Sequence, residues 1–224
     1  MIEIRPGQRI ITPGDWMQVV QPRGGAAVDW WDPNGESLSV VAAYLAKGAA
    51  SYAASKVNLA NPGTYDATDG AGVPDWNTAS GWTGTSGSVK YLDTGLFPTQ
   101  DWTMLVQFAN SSSNACCGVI SSGQRITIAP YSGANRTYYY GGSGRNVAGP
   151  TASGNMCVAG GNFYLNGSVD ASPISSTFTC SNNARLVTAY GSGSYIGDVY
   201  AVAFYSGTLT PAQVATVAAA MAAL

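Results

Sequence analysis

Carboxylates are the side chains in this sequence with the best chemistry for hydrolysis, and their spacing is unfavourable for it. Glycoside hydrolysis needs two carboxylates about 5–5.5 Å apart for retention or about 6.5–9.5 Å apart for inversion. The glutamates are Glu3 and Glu36, both near the N-terminus. Asp66, Asp69 and Asp75 crowd one turn-rich loop, where Asp side chains ordinarily cap the nearby backbone. The sequence therefore predicts that the protein is not an enzyme and has no catalytic residue.

Nucleophilic and metal chemistry also lack the necessary residues. The sequence contains no histidine, which excludes Ser-His-Asp and Cys-His catalysis and makes a zinc site improbable. The four cysteines are Cys116, Cys117, Cys157 and Cys180, and their spacing matches no Cys-x-x-Cys site. They are predicted to be buried thiols, or to form at most one disulfide. No metal site and no cofactor is expected.

Aromatic side chains offer a different chemistry, the binding of sugars. A sugar site needs an aromatic platform with amide and hydroxyl partners at the mouth of a concave face. Tyr138 and Tyr140 share one face of a predicted strand, and Trp76 and Trp82 lie on a preceding loop. These four residues are the glycan-binding candidates. The alternative is that they fill the core, as aromatic residues in strands usually do.

Charge and hydropathy exclude two classes of partner. Charged residues make up 10% of the chain and the net charge is −2, so no basic surface is available for nucleic acid. The longest apolar candidate, Pro211–Leu224, is too short to cross a bilayer and is predicted to be a packed helix. The N-terminus has no apolar stretch of signal-peptide length. We expect neither nucleic acid nor membrane as a partner, and synthesis without a secretion signal.

The elements that must position these residues are mostly strands. Short segments rich in β-branched and aromatic residues recur between Gly, Asn and Ser, a pattern typical of a sandwich or barrel. Every residue of Val199–Tyr205 is apolar or aromatic, so this strand is predicted to have both faces covered. Asn166-Gly167 predicts a two-residue hairpin turn. The predicted strands are Ser39–Tyr44, Val89–Asp93, Trp102–Phe108, Arg125–Ile128, Thr137–Tyr140, Asn162–Leu165, Arg185–Tyr190 and Val199–Tyr205.

The C-terminus is the clearest helix. Thr210 and Gln213 form a capping box around Pro211, which suits the first helical position. Val214, Val217, Met221 and Leu224 then form one apolar stripe, which is expected to pack on the sandwich.

Residues 1–36 form a predicted irregular N-terminal arm, with turn signals every few residues. The arm contains half of the six tryptophans, together with an isoleucine pair and three arginines. Exposed tryptophans would be an aggregation liability, so they must be buried, either on another subunit or on the chain's own sandwich. The partner-interface candidates are Arg5, Arg9, Ile10, Ile11, Trp16, Arg23, Trp30 and Trp31.

Three stretches together resemble the concanavalin A-like lectin/laminin G-like superfamily. They are GSVKYLDTG (Gly87–Gly95) followed by DWTMLVQF (Asp101–Phe108), FYLNG (Phe163–Gly167), and IGDVYAVAFYSGTLTPAQV (Ile196–Val214). The resemblance implies an all-β, two-sheet antiparallel jelly-roll sandwich over residues 37–224. It also makes calcium the alternative cofactor, although no Asp-x-Asp-x-Asp-Gly loop is present. The Glu-x-Asp-x-x-Glu motif of the superfamily's hydrolases is absent.

The Ala-rich segments around Val41–Asp66 and Leu209–Met221 are also similar to laminin G-like virion proteins of tailed bacteriophages. That resemblance implies a non-enzymatic structural or interaction protein on the virion surface, a capsid or tail decoration or fibre module. Its partners would be other virion proteins or copies of itself, after synthesis in the host cytoplasm. The alternative is a glycan-binding module for host-surface attachment, whose partner would be a cell-surface glycan. Fold alone does not decide between them.

Overall fold

Segments rich in β-branched and aromatic residues form strands along most of the chain. The computed structural model describes residues 29–86, 89–189 and 195–224, and within these ranges it contains fifteen strands in two antiparallel sheets and two helices. The predicted all-β sandwich with a short C-terminal helix is confirmed.

The helices are α1 (Tyr52–Ser55) and α2 (Pro211–Ala222). The strands are β1 (Val40–Leu45), β2 (Thr68–Asp69), β3 (Asp75–Asn77), β4 (Gly81–Gly84), β5 (Leu92–Asp93), β6 (Thr103–Ser113), β7 (Cys117–Ser121), β8 (Gln124–Ser132), β9 (Asn135–Gly141), β10 (Ser143–Ala148), β11 (Gly154–Ala159), β12 (Asn162–Leu165), β13 (Ser168–Ala171), β14 (Arg185–Leu186) and β15 (Ile196–Tyr205).

The two sheets face each other across the main core. The eight-stranded sheet has the order β13-β12-β11-β6-β15-β4-β3, and β1 pairs with β15 beside β4. The seven-stranded sheet has the order β10-β9-β8-β7-β14-β5-β2. Each sheet therefore places strands from distant parts of the sequence side by side, and the short strands β2 and β5 end the seven-stranded sheet at one edge.

Strand β15 is covered on both faces, as its sequence predicts. Val199, Val202 and Phe204 face the seven-stranded sheet and join the main core. Ala201, Ala203 and Tyr205 alternate with them and face a second apolar cluster on the opposite side of the sheet. Along its edges β15 pairs with β6 on one side and with β4 and β1 on the other.

Helix α2 supplies the third layer. Its predicted capping box is present, with the Thr210 hydroxyl accepting from the Gln213 backbone N–H and Gln213 reaching back to the Thr210 N–H. Val214, Val217 and Met221 are buried on the outer face of the eight-stranded sheet, which confirms the predicted stripe.

The two tryptophans nearest the sandwich pack within their own chain. Trp30 is 8% exposed and lies in the cluster beneath α2, with the Trp31 ring edge-on against it at 5.4 Å. The Tyr205 hydroxyl donates to the Trp31 carbonyl at 2.8 Å. This arrangement corrects the assignment of Trp30 to a partner interface, because α2 already covers its ring. The other arm candidates, Arg5, Arg9, Ile10, Ile11, Trp16 and Arg23, lie outside the described residues, and the division at residue 36 stays a prediction.

Backbone conformation explains where strand predictions succeed and where they overrun. Asn166 and Gly167 have φ of 49° and 79°, which confirms the predicted hairpin turn between β12 and β13. The predicted strand Arg185–Tyr190 is paired only over Arg185–Leu186. It ends there because Val187 has φ of 73° and leaves the extended conformation. The predicted strand Val89–Asp93 pairs only over Leu92–Asp93.

All four cysteines are free and buried, as the sequence predicts for unpaired thiols. Within the described ranges, no helix is both long and apolar enough to cross a bilayer.

A hydrogen-bonded ion pair joins the two sheets beside their β9 and β13 strands. The Arg136 Nε donates to Asp170 Oδ2 at 2.7 Å, a second Arg136 nitrogen lies 2.5 Å from Oδ1, and the Tyr138 hydroxyl donates to Oδ2 at 2.8 Å. Burial acts to raise the pKa of Asp170, but the hydrogen bonds from Arg136 and Tyr138 and the charge of Arg136 outweigh it and lower the pKa below 3.8. The ionised carboxylate therefore stabilises the folded state.

We expect Met221→Ala to lower the free energy of unfolding by about 2–5 kcal/mol, because it leaves a cavity beneath α2. Urea denaturation measures this. The control is Ala219→Ser on the exposed face of the same helix, expected to change stability by less than about 0.5 kcal/mol. Equal effects of the two substitutions would show that the stripe does not anchor the helix.

We expect Asp170→Ala to lower the free energy of unfolding by on the order of 3 kcal/mol at neutral pH, since it leaves Arg136 without its largely buried partner. A carboxyl with a lowered folded pKa contributes stability that is present above 3.8 and lost as the pH falls through its folded value. The difference between wild type and variant should therefore narrow below pH 3.8 in denaturation series. Asp75→Ala, which breaks the exposed pair with Lys90, is the control and should cost less than about 1 kcal/mol. A difference that is independent of pH would contradict this account.

Candidate functional site

An open cleft lies at the free edge of the seven-stranded sheet. It has a volume of about 530 Å³, within the range of small-molecule sites. Strands β2 and β5 and the loops that flank them supply its walls. The lining residues are Tyr65, Asp66, Thr68, Asp69, Gly70, Tyr91, Asp93, Thr94, Gly95 and Asn183.

The loop that carries Tyr65 is fixed to the core through its backbone. Asn58 is fully buried and donates to the carbonyls of Val41 and Thr64 at 3.0 and 2.8 Å. The Asp66 carboxylate accepts from the backbone N–H of Asn58 at 2.8 Å and from that of Gly63 at 3.2 Å. This agrees with the expected backbone-capping role of Asp66. The loop is thus held from the core by Asn58 and from within by the Asp66 carboxylate.

Tyr65 is presented to solvent from this fixed loop. Its φ is 59°, an uncommon conformation for a residue with a bulky side chain, and the Tyr44 hydroxyl holds its carbonyl from the core. The Tyr65 side chain is nevertheless 46% exposed. A buried anchor and an exposed ring are what a preformed binding platform requires.

Tyr91 is the second aromatic residue that lines the cleft. Its backbone carbonyl accepts from the Gly70 N–H and its N–H donates to the Gly72 carbonyl, each at 3.0 Å. The Arg185 guanidinium lies 3.7 Å from the Tyr91 ring centroid. A Cβ atom on Gly70 would lie 2.2 Å from the Tyr91 ring, so glycine is needed there for close approach. The ring is therefore held in place by its surroundings.

Polar groups in the lining of the cleft are already oriented by the protein. Asp93 Oδ1 accepts from the Gly95 N–H at 2.9 Å and from the Asn183 side-chain amide at 2.8 Å. Asp69 accepts from the Tyr52 hydroxyl and from Lys56 Nζ at 3.1 Å. The hydrogen bond from Tyr52 is the main cause that lowers the pKa of Asp69; burial opposes it, and the hydrogen bond and charge of Lys56 add to the lowering. Asp69 is thus an ionised acceptor and is poorly suited to act as an acid.

A second, smaller hollow of about 300 Å³ adjoins the cleft. Asp93 and Asn183 line both. On the far side of the second hollow stand Phe97, which is 53% exposed, and Asn182, whose amide donates to the Ile120 carbonyl at 2.7 Å.

The predicted glycan-binding residues lie elsewhere, and three of them are in the core. Trp82 and Tyr138 are fully buried and Tyr140 is 3% exposed, since the faces of their strands that carry these side chains point between the two sheets. Their polar atoms bond inside the protein, Trp82 Nε1 to Ser55 Oγ, the Tyr138 hydroxyl to Asp170 and the Tyr140 hydroxyl to the Gln100 carbonyl. These three assignments are corrected, because buried rings present no surface to a glycan.

Trp76, the fourth candidate, is half-buried at the edge strand β3. Its ring packs near Tyr52 and its Nε1 donates to the Ala46 carbonyl at 2.9 Å. Tyr52 in turn bonds Asp69 of the cleft, so Trp76 supports the cleft from behind rather than lining it.

Of the residues that line the cleft, only Asp66 and Asp69 were singled out from the sequence, as carboxylates that cap a loop, and none of the lining residues was proposed for glycan binding. Tyr65 follows Asn61-Pro62-Gly63 in a turn-rich loop, and an aromatic residue in a polar loop is a usable signal for a binding surface. Tyr91 was assigned to a strand. Asn183 lies far along the sequence and reaches the cleft only because β14 pairs with β5.

Across residues 29–86, 89–189 and 195–224, no group of three or more His, Cys, Asp or Glu side chains is arranged to hold a metal ion.

No family model matches the chain, and no curated protein matches it. Several solved structures match the chain. Domain 4 of a GH43 extracellular arabinanase from Geobacillus stearothermophilus, in complex with arabinotriose, is 16% identical, with a TM-score of 0.54 over 81% of this chain and 98% of that domain. A Trypanosoma rangeli sialidase mutant with trans-sialidase activity is 12% identical, with a TM-score of 0.53 over 88% of this chain. The chain spans about a third of the sialidase, 34% of its length. Such likeness shows the fold alone, a jelly-roll sandwich.

These comparisons correct the expectation of a virion structural role. The structures that the chain resembles belong to an arabinanase and to sialidases, and they give no link to bacteriophage or laminin G-like proteins.

We expect Gly70→Ala to displace the Tyr91 ring from Arg185, because the new methyl group overlaps the ring. The free energy of unfolding should fall by about 1–3 kcal/mol. The measurements are the melting temperature and the NMR shifts of the Arg185 side chain, which lose the ring-current effect of Tyr91. Gly142→Ala is the matched control, since a Cβ there meets no atom closer than 3.8 Å. Unchanged Arg185 shifts in the Gly70 variant would contradict the packing described.

Proposed function

We propose that this chain is a non-catalytic glycan-binding module and that the cleft is its binding site. The observation that carries the proposal is the pairing of an exposed Tyr65 ring, whose backbone is anchored to the core, with oriented carboxylate and amide groups in one open cleft. An aromatic face and a few fixed polar groups are the usual composition of a small-molecule site.

The chemistry of the lining suits a sugar. A sugar ring has an apolar C–H face that can lie on Tyr65 and hydroxyl groups that can donate to carboxylates. Asp93 and Asp69 are acceptors held in place by hydrogen bonds from Gly95, Asn183 and Lys56. Pre-oriented acceptors bind hydroxyls with little loss of side-chain entropy.

The structural neighbours support the same class of ligand. The arabinanase domain was solved in complex with arabinotriose, and the other neighbours are sialidases. This makes arabino-oligosaccharides the first ligands to test.

The cleft is built for binding rather than for hydrolysis. Asp66 holds its own loop through the N–H groups of Asn58 and Gly63, and Asp69, with its lowered pKa, is a poor proton donor. A glycosidase needs an acid whose pKa is raised beside a second free carboxylate. We therefore expect ligand binding without turnover.

We expect Tyr65→Ala to weaken oligosaccharide binding by at least about tenfold, equivalent to about 1.4 kcal/mol, while the melting temperature stays near that of the wild type. Isothermal titration calorimetry with arabino-, xylo-, galacto- and malto-oligosaccharides measures the affinity. The control is Tyr139→Ala, which removes a tyrosine on β9, five strands from β2 in the same sheet.

Two results would contradict the proposal. One is the absence of binding to every oligosaccharide at millimolar concentration, or an affinity that Tyr65→Ala leaves unchanged. The other is release of reducing sugar by the wild-type chain, which would assign the site to an enzyme.

A further inference from the structure

We infer that the cleft and the adjoining hollow form one continuous open groove that binds an internal segment of an uncharged oligosaccharide, with Tyr65 and Phe97 as platforms at its two ends. This inference rests on the proposed function and specifies the length and charge of the ligand.

The two hollows are continuous because they share a floor. Asp93 and Asn183 line both, whereas Tyr65 lines only the cleft and Phe97 only the smaller hollow. The shared pair is held together by the hydrogen bond from the Asn183 amide to Asp93 Oδ1 at 2.8 Å. A ligand that extends from Tyr65 to Phe97 must therefore pass over this pair.

The distribution of exposed aromatic residues points to the same groove. The large hydrophobic side chains most exposed among the described residues are Tyr65, Val73, Val89, Phe97 and Val169. The two aromatic ones, 46% and 53% exposed, both line this groove. Exposure of a large aromatic side chain carries an aggregation cost, so two of them in one groove indicate a shared ligand.

The middle of the groove can hold a sugar hydroxyl. Both hydrogen bonds that the Asp93 carboxylate accepts, from Gly95 and from Asn183, end on Oδ1. Its other oxygen, Oδ2, can accept from a ligand hydroxyl. Asp93 would then bind the sugar unit between the two aromatic platforms.

The shape favours an internal chain segment over a chain end. Both hollows open to solvent, and together they form a groove rather than a closed pocket. A closed pocket encloses a terminal unit, whereas a groove lets the chain continue beyond the site in both directions. Affinity should therefore rise with oligosaccharide length until the groove is filled.

The charges favour an uncharged chain. Three carboxylates, those of Asp66, Asp69 and Asp93, line the larger hollow. Lys56 is already paired with Asp69, and the Arg185 guanidinium, which lines only the smaller hollow, lies against the Tyr91 ring. A uronate or sialate carboxylate in the larger hollow would meet like charges, and like charges in apposition cost binding free energy.

The test is the dependence of affinity on chain length, measured by calorimetry with neutral oligosaccharides of one to six units from the series that the wild type binds. We expect Tyr65→Ala to weaken binding at every length. Phe97→Ala should weaken binding of the longest oligosaccharides by about tenfold, which is about 1.4 kcal/mol, and leave the shortest unchanged. Phe97→Tyr keeps the platform and should bind like the wild type. Oligogalacturonates of equal length should bind at least about tenfold more weakly than the neutral series, a loss of about 1.4 kcal/mol.

The outcomes separate this inference from the proposed function. If Tyr65→Ala removes binding but affinity does not depend on length, or Phe97→Ala has no effect at any length, the site is a single pocket and the groove is overturned. Oligogalacturonates that bind as tightly as neutral chains overturn the preference for uncharged ligands. If the wild type binds no oligosaccharide, the proposed function fails and the inference fails with it.

Discussion

The burial of β15 on both faces is the interaction on which the rest of the structure depends. One face of this strand completes the core between the sheets, and the other forms the seat for α2 and Trp30. Small residues, Ala201 and Ala203, alternate with large ones, so the helix can approach the sheet closely on one side while Phe204 fills the space on the other. Because β15 also pairs with β1, β4 and β6, any disturbance of its register would reach every layer of the molecule.

The seven-stranded sheet differs from the eight-stranded one in that its edge lines the cleft. Its far edge ends in the two-residue strands β2 and β5, which contribute few ladder hydrogen bonds and are instead held by side chains such as Asn58, Asp66 and Asp93. Loops fixed in this way can present side chains outward without loss of order. The polar groups that hold the edge together are largely the same groups that line the cleft, so stability and the geometry of the site are coupled there.

The sequence predicts the architecture far better than the site. Three elements were predicted correctly because their local residue pattern is diagnostic. They are the apolar part of β15, the Asn166-Gly167 turn, and α2 with its capping box and apolar stripe. The glycan candidates failed because periodicity shows that Tyr138 and Tyr140 share a face but not which face is outward. Tyr65, Tyr91 and Asn183 could not be grouped at all, since only the pairing of β14 with β5 and of β5 with β2 brings them together. Trp30 was ambiguous for a related reason, since its partner α2 lies at the other end of the chain.

Burial of the four thiols lowers their reactivity toward oxidants. Burial raises the pKa of each, that of Cys180 to about 11, so the reactive thiolate is scarce at every one of these positions. Cys117 packs on Met104, and Cys157 lies in the other apolar cluster beneath α2, so these two thiols are separated by the eight-stranded sheet. The four cysteines are free, so none of them forms a disulfide that would cross-link the sandwich.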